Sequence, residues 1–288
     1  MPSLLDRMRR RDGRVAFVLG GGGNLGAVQV GMLRALVEHH IQPSLVVGCS
    51  VGAINGAAFC AEPTRVGVAR LEELWRSLDG KDLWPSGLLP AAVQLARKGS
   101  SVMESDEALR RIIRRLLTVE RFEHLEVPFQ CVATAFDEAK EVWFSSGPLM
   151  EPILASSAIP AIYPPVRIDG VRYIDGAVVN DVPISRAVEL GARRLYVLHV
   201  GSFDRPRPEP RRPLDLALQA YWIARRHRFH RDLATLPHGV EAIVLPTGAQ
   251  PPVSYKDFTH TEELRANAYA ATSAMLDGRA ADERTALD

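Results

Sequence analysis

Cysteine is scarce in this chain: Cys49, Cys60 and Cys131 are the three found in 288 residues. So sparse and odd a set excludes a disulfide-stapled scaffold and fits a reducing compartment. No two of them form a CxxC pair, and none of the eight histidines belongs to an HExxH, so a zinc site would need scattered ligands. Charge excess is lacking as well. Lys and Arg number 35 against 34 Asp and Glu, a formal net charge of +1, which leaves no global field to compete for nucleic-acid phosphates. No uninterrupted apolar run reaches the roughly 18 residues of a membrane span. The opening MPSLLDRMRRRDGR lacks the apolar stretch of a secretory leader. These absences predict a cytoplasmic protein without nucleic acid, metal or organic cofactor.

What is present is ordinary globular composition, 47% hydrophobic and 24% charged, in a chain long enough for one large α/β unit or two small domains. No repeat and no linker divides it. The expected organisation is a basic arm over 1–14, a single domain over 15–276, and a loose tail over 277–288.

Val15 to Leu19 is a short apolar run closed by Gly20 to Gly23, a buried strand followed by a tight turn. Gly26 to His39 then carries Val30, Leu33, Leu36 and Val37 at helical spacing. Leu45 to Val47 leads through Gly48-Cys49-Ser50-Val51-Gly52 into a small-residue helix, Ala53 to Ala58. Two successive strand–glycine-turn–helix units predict an α/β fold with a mostly parallel central sheet and helices on both faces. Val127 to Thr134 and Val142 to Ser145 resemble paired strands; Met150 to Ala158 and Pro183 to Leu190 suit helices. Leu195 to Val200 and Ala242 to Leu245 suit strands. Leu214 to Leu233 and Glu262 to Leu276 suit helices, the latter opened by a Thr259–Glu262 capping box.

Three stretches admit two readings each. Leu83 to Ala96, uncharged, is a buried helix or an apolar flap, which would extend over about 83–104. From Ser105, an N-cap candidate, a helix sets Leu109, Ile112, Ile113, Leu116 and Leu117 against Arg110, Arg111, Arg114 and Arg115. Its basic side is a solvated face or a surface resting on anionic lipid headgroups. The Trp222 to Arg231 segment, with Arg225, Arg226 and Arg228, offers a second basic surface of the same kind.

The chemistry concentrates in two glycine-flanked turns. Gly48-Cys49-Ser50-Val51-Gly52 matches G-x-S-x-G between a strand and a helix. A nucleophilic serine needs such a sharp turn to stand its hydroxyl proud of the sheet, and the flanking glycines let strand and helix pass closely. Ser50 could instead simply cap the helix. Gly20-Gly21-Gly22-Gly23-Asn24-Leu25-Gly26 partly satisfies a dinucleotide fingerprint, but no acidic residue closes the next strand and no GKS or GKT follows. An oxyanion hole is the better use, since successive glycines expose main-chain N–H groups.

A serine hydroxyl needs a base. His199 ends a predicted strand and is one candidate; His124, His227, His230, His238 and His260 have no distinctive setting. Arg172-Tyr173-Ile174-Asp175-Gly176-Ala177 offers another, a carboxylate at a strand end, although an Asp-Gly turn is also common in its own right.

Four blocks together, in this order, resemble the bacterial patatin-like phospholipase family over roughly Val15 to Val200. They are Gly21 to Gly26, the serine turn with Ala53-Ile54-Asn55-Gly56, Ala155-Ser156-Ser157-Ala158-Ile159-Pro160 through Pro164-Pro165, and Asp175-Gly176-Ala177. The resemblance implies a patatin-like three-layer fold related to α/β-hydrolases, and hydrolysis of lipid acyl esters by a serine–aspartate dyad without histidine. It maps the nucleophile to Ser50, the base to Asp175 and the oxyanion donors to Gly22 and Gly23. Gly21, Asn24, Gly26, Gly48, Gly52 and Gly176 would support these groups, and Pro160 with Pro164-Pro165 would shape the floor beneath them. One position departs from the pattern: Leu25 stands where the family usually carries Arg or Lys. The competing expectations are a nucleotide- or acyl-group-binding module and a catalytically weakened, regulatory family member.

Overall fold

The protein is described by a computed structural model that covers residues 15–79, 105–160, 162–201, 209, 213–251 and 257–285. The expected basic arm over 1–14 and the apolar flap over 83–104 lie outside the described residues.

Among the described residues eight strands form one sheet: β1 (Val15–Leu19), β2 (Leu45–Cys49), β3 (Phe129–Ala135), β4 (Lys140–Phe144), β5 (Val166–Ile168), β6 (Val171–Asp175), β7 (Arg194–Leu198) and β8 (Glu241–Val244). Parallel pairing joins β8, β7, β1, β2 and β3 in that order, whereas β4 and β6 run antiparallel to β3, and β5 antiparallel to β6. The sheet is therefore mixed, because the returns from β3 to β4 and from β5 to β6 are tight hairpins rather than helical crossovers.

Nine helices are described: α1 (Gly26–Glu38), α2 (Val51–Ala61), α3 (Arg65–Ser77), α4 (Glu107–Leu116), α5 (Met150–Ser156), α6 (Ala177–Asn180), α7 (Ile184–Glu189), α8 (Pro213–Ala234) and α9 (Thr261–Thr285). Successive residues of a strand point to opposite sheet faces. Phe17, Leu19 and Val46 pack with apolar residues of α1, α2, α3, α4, α5 and α9. Their neighbours Ala16, Val18, Leu45 and Val47 pack with Ile184 and Ala187 of α7 and Phe229 of α8. This is the three-layer arrangement, with β1 and β2 buried on both faces.

The register of β3 positions the site. Cys131 pairs with Gly48 of β2 and Phe144 of β4, so β2 and β4 lie on opposite edges of β3. Ala133 pairs with Val142 of β4 and Asp175 of β6, which puts β6 on the edge opposite β4 as well. Hence β2 and β6 share one edge of β3 and meet end to end, Cys49 opposite Val132 and Asp175 opposite Ala133. Two residues 125 apart in sequence are thereby brought to one point.

Two expectations at the C-terminal end are corrected. Residues 277–285, expected as loose tail, belong to α9, where Arg279 pairs with Glu241 of β8. The Thr259–Glu262 capping box does not form: Thr259 donates its hydroxyl and N–H to Asp257 Oδ1, and Glu262 pairs with Arg265. Among the described residues no helix is long and apolar enough to cross a membrane.

Candidate active site

Ser50 occupies the turn between β2 and α2 at φ 54° and ψ −125°. A side chain held in the left-handed region costs on the order of 1–3 kcal/mol and persists only where its surroundings impose it. Here they do. A Cβ on Gly52 would lie 2.3 Å from the Leu19 carbonyl oxygen, and one on Gly48 would lie 2.4 Å from the Gly52 carbonyl oxygen. Strand and helix cross too closely for any side chain at either glycine, and the serine between them takes up the sharp bend. Ser50 makes no side-chain cap to α2. Its Oγ donates instead to Asp175 Oδ2 at 2.7 Å, and its N–H donates to Ser156 Oγ at 3.0 Å.

Asp175, 2% exposed, ends β6. Its Oδ1 accepts the Ala177 N–H at 2.8 Å and lies 3.9 Å from Cys49 Sγ. The main chain around it is pinned: Asp175 N–H donates to Ala158 O at 2.9 Å, Gly176 N–H to Ser156 O at 3.2 Å, and Thr134 Oγ1 to Asp175 O at 2.9 Å. A Cβ on Gly176 would stand 2.4 Å from the Val132 carbonyl oxygen, so only glycine lets β6 turn away there. The support beneath the pair is thus built from Ser156 to Ala158, while Pro160 is exposed in the turn that follows.

Burial pushes the Asp175 carboxyl up to about 6. The Ala177 N–H and the Ser50 hydroxyl oppose that rise, Asp181 adds to it and Arg225 opposes it. A carboxylate desolvated in this way is a better match for a hydroxyl proton than an ordinary aspartate, yet is ionised at neutral pH. His199, the other candidate base, is buried against Phe229 with ring centroids 5.2 Å apart, and burial pulls its pKa down to about 3. The serine's partner is the aspartate.

The glycine turn lies beside Ser50: a Cβ built on Gly21 would be 3.3 Å from Ser50 Cβ and 2.5 Å from Asp181 Oδ1. Gly20 and Gly21 donate their N–H groups to Leu198 O and Asp181 O at 3.2 and 3.0 Å, and the Leu25 N–H donates to Gly22 O at 3.2 Å. Gly22 and Gly23 sit between these anchored amides, with Gly23 at φ 58°. Gln29 Nε2 donates to Gly20 O at 2.7 Å, and its Oε1 accepts from Asn55 Nδ2 at 2.9 Å. Asn55 Nδ2 also reaches Gly26 O, and Asn55 Oδ1 accepts from Trp75 Nε1, each at 3.0 Å. Asn24 Nδ2 donates to Asp257 O at 2.7 Å. Leu25 packs partly buried against the main core, so the side chain that replaces the family's cation contributes apolar contact.

Sequence reasoning missed the clasp around this turn. Gln29 lies in the helix expected over 26–39, where it read as one more helical residue, and Trp75 lies in α3, a helix that was not anticipated. Asp181 and Arg225 are joined by an ion pair of 2.5 Å, although Arg225 belongs to the segment expected to face phosphates. Arg228 is likewise turned inward, onto Val179 O at 2.6 Å, and on α4 Arg110 pairs with Asp106 and Glu151.

The family model of the patatin-like phospholipases matches residues 17–188, a stretch that contains Ser50, Asp175 and the whole glycine turn. The chain belongs to the patatin-like phospholipase family. It is 28% identical over 218 residues to an uncharacterized NTE family protein of Mycobacterium tuberculosis, covering 75% of this chain and 56% of that one. It is also 28% identical over 210 residues to the lysophospholipase nte1 of Aspergillus terreus, covering 70% of this chain and 13% of that one. The patatin-like chain therefore spans about half the length of its mycobacterial relative and far less of the fungal one. VipD from Legionella pneumophila shares the fold, with a TM-score of 0.50 at 16% identity over 93% of this chain and 67% of that one.

Proposed function

We propose that this patatin-like domain hydrolyses carboxylic esters of lipids, with Ser50 as nucleophile, Asp175 as general base, and the Gly22 and Gly23 amides as oxyanion donors. The single observation that carries the reading is the 2.7 Å hydrogen bond from Ser50 Oγ to a buried Asp175 carboxylate, made by a serine on a strained strand-to-helix turn. Asp175 accepts the hydroxyl proton as Ser50 Oγ bonds to the ester carbonyl carbon. The glycine turn and the N-terminal end of α2 hold the oxyanion. Collapse of the tetrahedral adduct breaks the bond to the alcohol, which takes the proton from Asp175. Water then attacks the acyl-serine, gives a proton to Asp175, and fatty acid leaves as Ser50 recovers it.

Access from an anionic lipid surface accompanies this proposal. What supports it is the side of α8 turned to solvent, where Leu216 and Ile223 are 60% and 53% exposed, and exposed Val178 just after the dyad aspartate. Flotation with anionic liposomes at low salt tests it: no bound protein removes the surface contact and leaves the esterase reading intact.

The test of the chemistry is a panel of esters with short to long acyl chains, assayed with the wild type and S50A, together with fluorophosphonate labelling. Turnover and labelling confined to the wild type are expected. Full esterase activity in S50A rejects the assignment, and an unlabelled Ser50 favours a binding module.

A further inference from the structure

Asp181 poses a problem that the dyad does not solve. It is 4% exposed, follows α6 by one residue, and its main-chain oxygen holds the Gly21 N–H. Its Oδ1 lies 2.5 Å from the point where a Gly21 Cβ would be, a point itself 3.3 Å from Ser50 Cβ. A second buried carboxylate therefore stands beside the first. Two like charges so close cannot both ionise freely, and an unpaired Asp181 anion would hold a proton on Asp175, where a base must have none. Arg225 arrives from α8, which packs with α7 on one face of the sheet, and meets Asp181 Oδ2 at 2.5 Å with its guanidinium 5.4 Å from the centroid of the Tyr221 ring.

We propose that Arg225 is a positioning residue of the dyad: by pairing with Asp181 it cancels the second carboxylate's charge and holds the Gly21 turn against Ser50, so that the charge needed on Asp175 is not opposed. As a statement about catalysis this rests on the hydrolase reading above; as a statement about charge it does not. Among the described residues, the other groups that face the pair or Asp175 are Cys49, Tyr221 and His199. Burial raises the Cys49 thiol well above its ordinary range and raises the Tyr221 hydroxyl, and it keeps His199 neutral, so none of the three brings charge at neutral pH. Burial also works against the Arg225 charge, but its neighbours, Asp181 foremost with Tyr221 and Asp175, together more than offset it, and the guanidinium stays protonated. Arg225 lies beyond the residues that match the family model, so the neutralising charge comes from a helix outside that stretch.

The test uses R225Q, R225K, D181N and the D181N/R225Q double variant with two readouts, the pH profile of kcat/KM and the titration of the Asp175 carboxyl carbon by NMR. R225Q leaves Asp181 unopposed, so the acid limb and the titration midpoint move up by about one pH unit, which is roughly a tenfold loss of kcat/KM well below the limb. D181N leaves the cation unopposed and moves both down; the double variant returns toward the wild type, and R225K keeps the limb in place. D181N carries the test by itself if R225Q does not fold. Midpoints that stay at the wild-type pH in both single variants, with activity lowered evenly across pH, overturn the proposal and leave a packing role. Midpoints in the expected order in a chain without turnover sink the hydrolase reading and leave the charge pairing standing.

Discussion

Residues 17–188 and residues 189–285 contribute to the same few ångströms in different ways. The first stretch supplies every group proposed to touch substrate: the serine on its turn, the aspartate at the end of β6, and the glycine amides. The second supplies groups that hold those in place: Arg225 on Asp181, the Asp257 carbonyl on Asn24, and Phe258 stacked on Trp75 at 6.3 Å. Reacting groups must meet main-chain geometry that few sequences satisfy, so they sit in short motifs. Supporting groups need only deliver a charge or a hydrogen bond, and any nearby helix can do it. The contrast predicts that changes in the first stretch act on chemistry and changes in the second act on its tuning.

The largest expected effect is at the dyad. S50A lowers kcat/KM by roughly four orders of magnitude or more, and D175N by about three. In the wild type the acid limb of kcat/KM falls near pH 6, where burial places Asp175. The same burial has a cost in stability. The carboxyl rises from 3.8 to about 6 on folding, so the native state holds the proton more tightly than the unfolded chain. Its stabilising share is full below about pH 4 and is lost as pH rises through 6. D175N, which carries no charge to bury, is therefore expected to gain on the order of 3 kcal/mol over the wild type at pH 7.5, and little at pH 4. Urea midpoints for both proteins at the two pH values decide it. A constant difference between them contradicts the burial argument.

Ser50 and the glycine turn were legible in the sequence because each is tied to turn chemistry that leaves a local trace, whereas Asp175 looked no different from an ordinary Asp-Gly turn until the family resemblance singled it out. The strands β1 and β2 were legible for the same reason, as apolar runs closed by glycine. What bonds at long range was not. Nothing around Arg225 distinguishes it from Arg226, which lies over the Trp222 ring at 5.5 Å, or from Arg231, which is half-exposed beside Asp232. Only the packing of α8 on the sheet turns one of them toward Asp181. The end of α9 was misjudged on similar grounds. Beyond Leu276 the apolar stripe stops, but Ala, Glu and Arg keep helix propensity and Arg279 finds Glu241 on β8. The antiparallel return of β6 also left no periodic signal, since its run of five residues alternates like any other short strand.

A middle-sized effect separates packing from chemistry within the first stretch. In G52A the new methyl has the Leu19 carbonyl oxygen at 2.3 Å and the Gly20 carbonyl oxygen at 2.7 Å, both main chain, the first at the end of β1 and the second held by Gln29. Neither can rotate away, so α2 must shift off the sheet and carry Ser50 with it. Overpacking of this kind costs about 1–3 kcal/mol. Thermal unfolding is expected to report that loss, and fluorophosphonate labelling of Ser50 is expected to slow by at least tenfold. Labelling at the wild-type rate would mean that the serine turn does not depend on this crossing.

The smallest expected effect lies on the seam between the two stretches. Asn24 Nδ2 donates to Asp257 O at 2.7 Å, a part-buried bond over 233 residues of sequence that ties the glycine turn to the lead-in of α9. In N24A the turn keeps its anchors at Gly20, Gly21 and Leu25, and α9 keeps its packing on α1, so global stability should fall by about 1 kcal/mol, the net worth of one such bond. The local consequence is more telling. Without the asparagine the Asp257 carbonyl loses its donor, and hydrogen exchange at Thr259 to Thr261 should quicken while exchange in β1 and β2 stays at the global rate. If kcat/KM then falls only a few-fold, with the acid limb unmoved, the C-terminal stretch acts on the glycine turn through position alone. A shifted limb in N24A would instead mean that this seam reaches the charge on Asp175, and the division of labour between the two stretches would have to be redrawn.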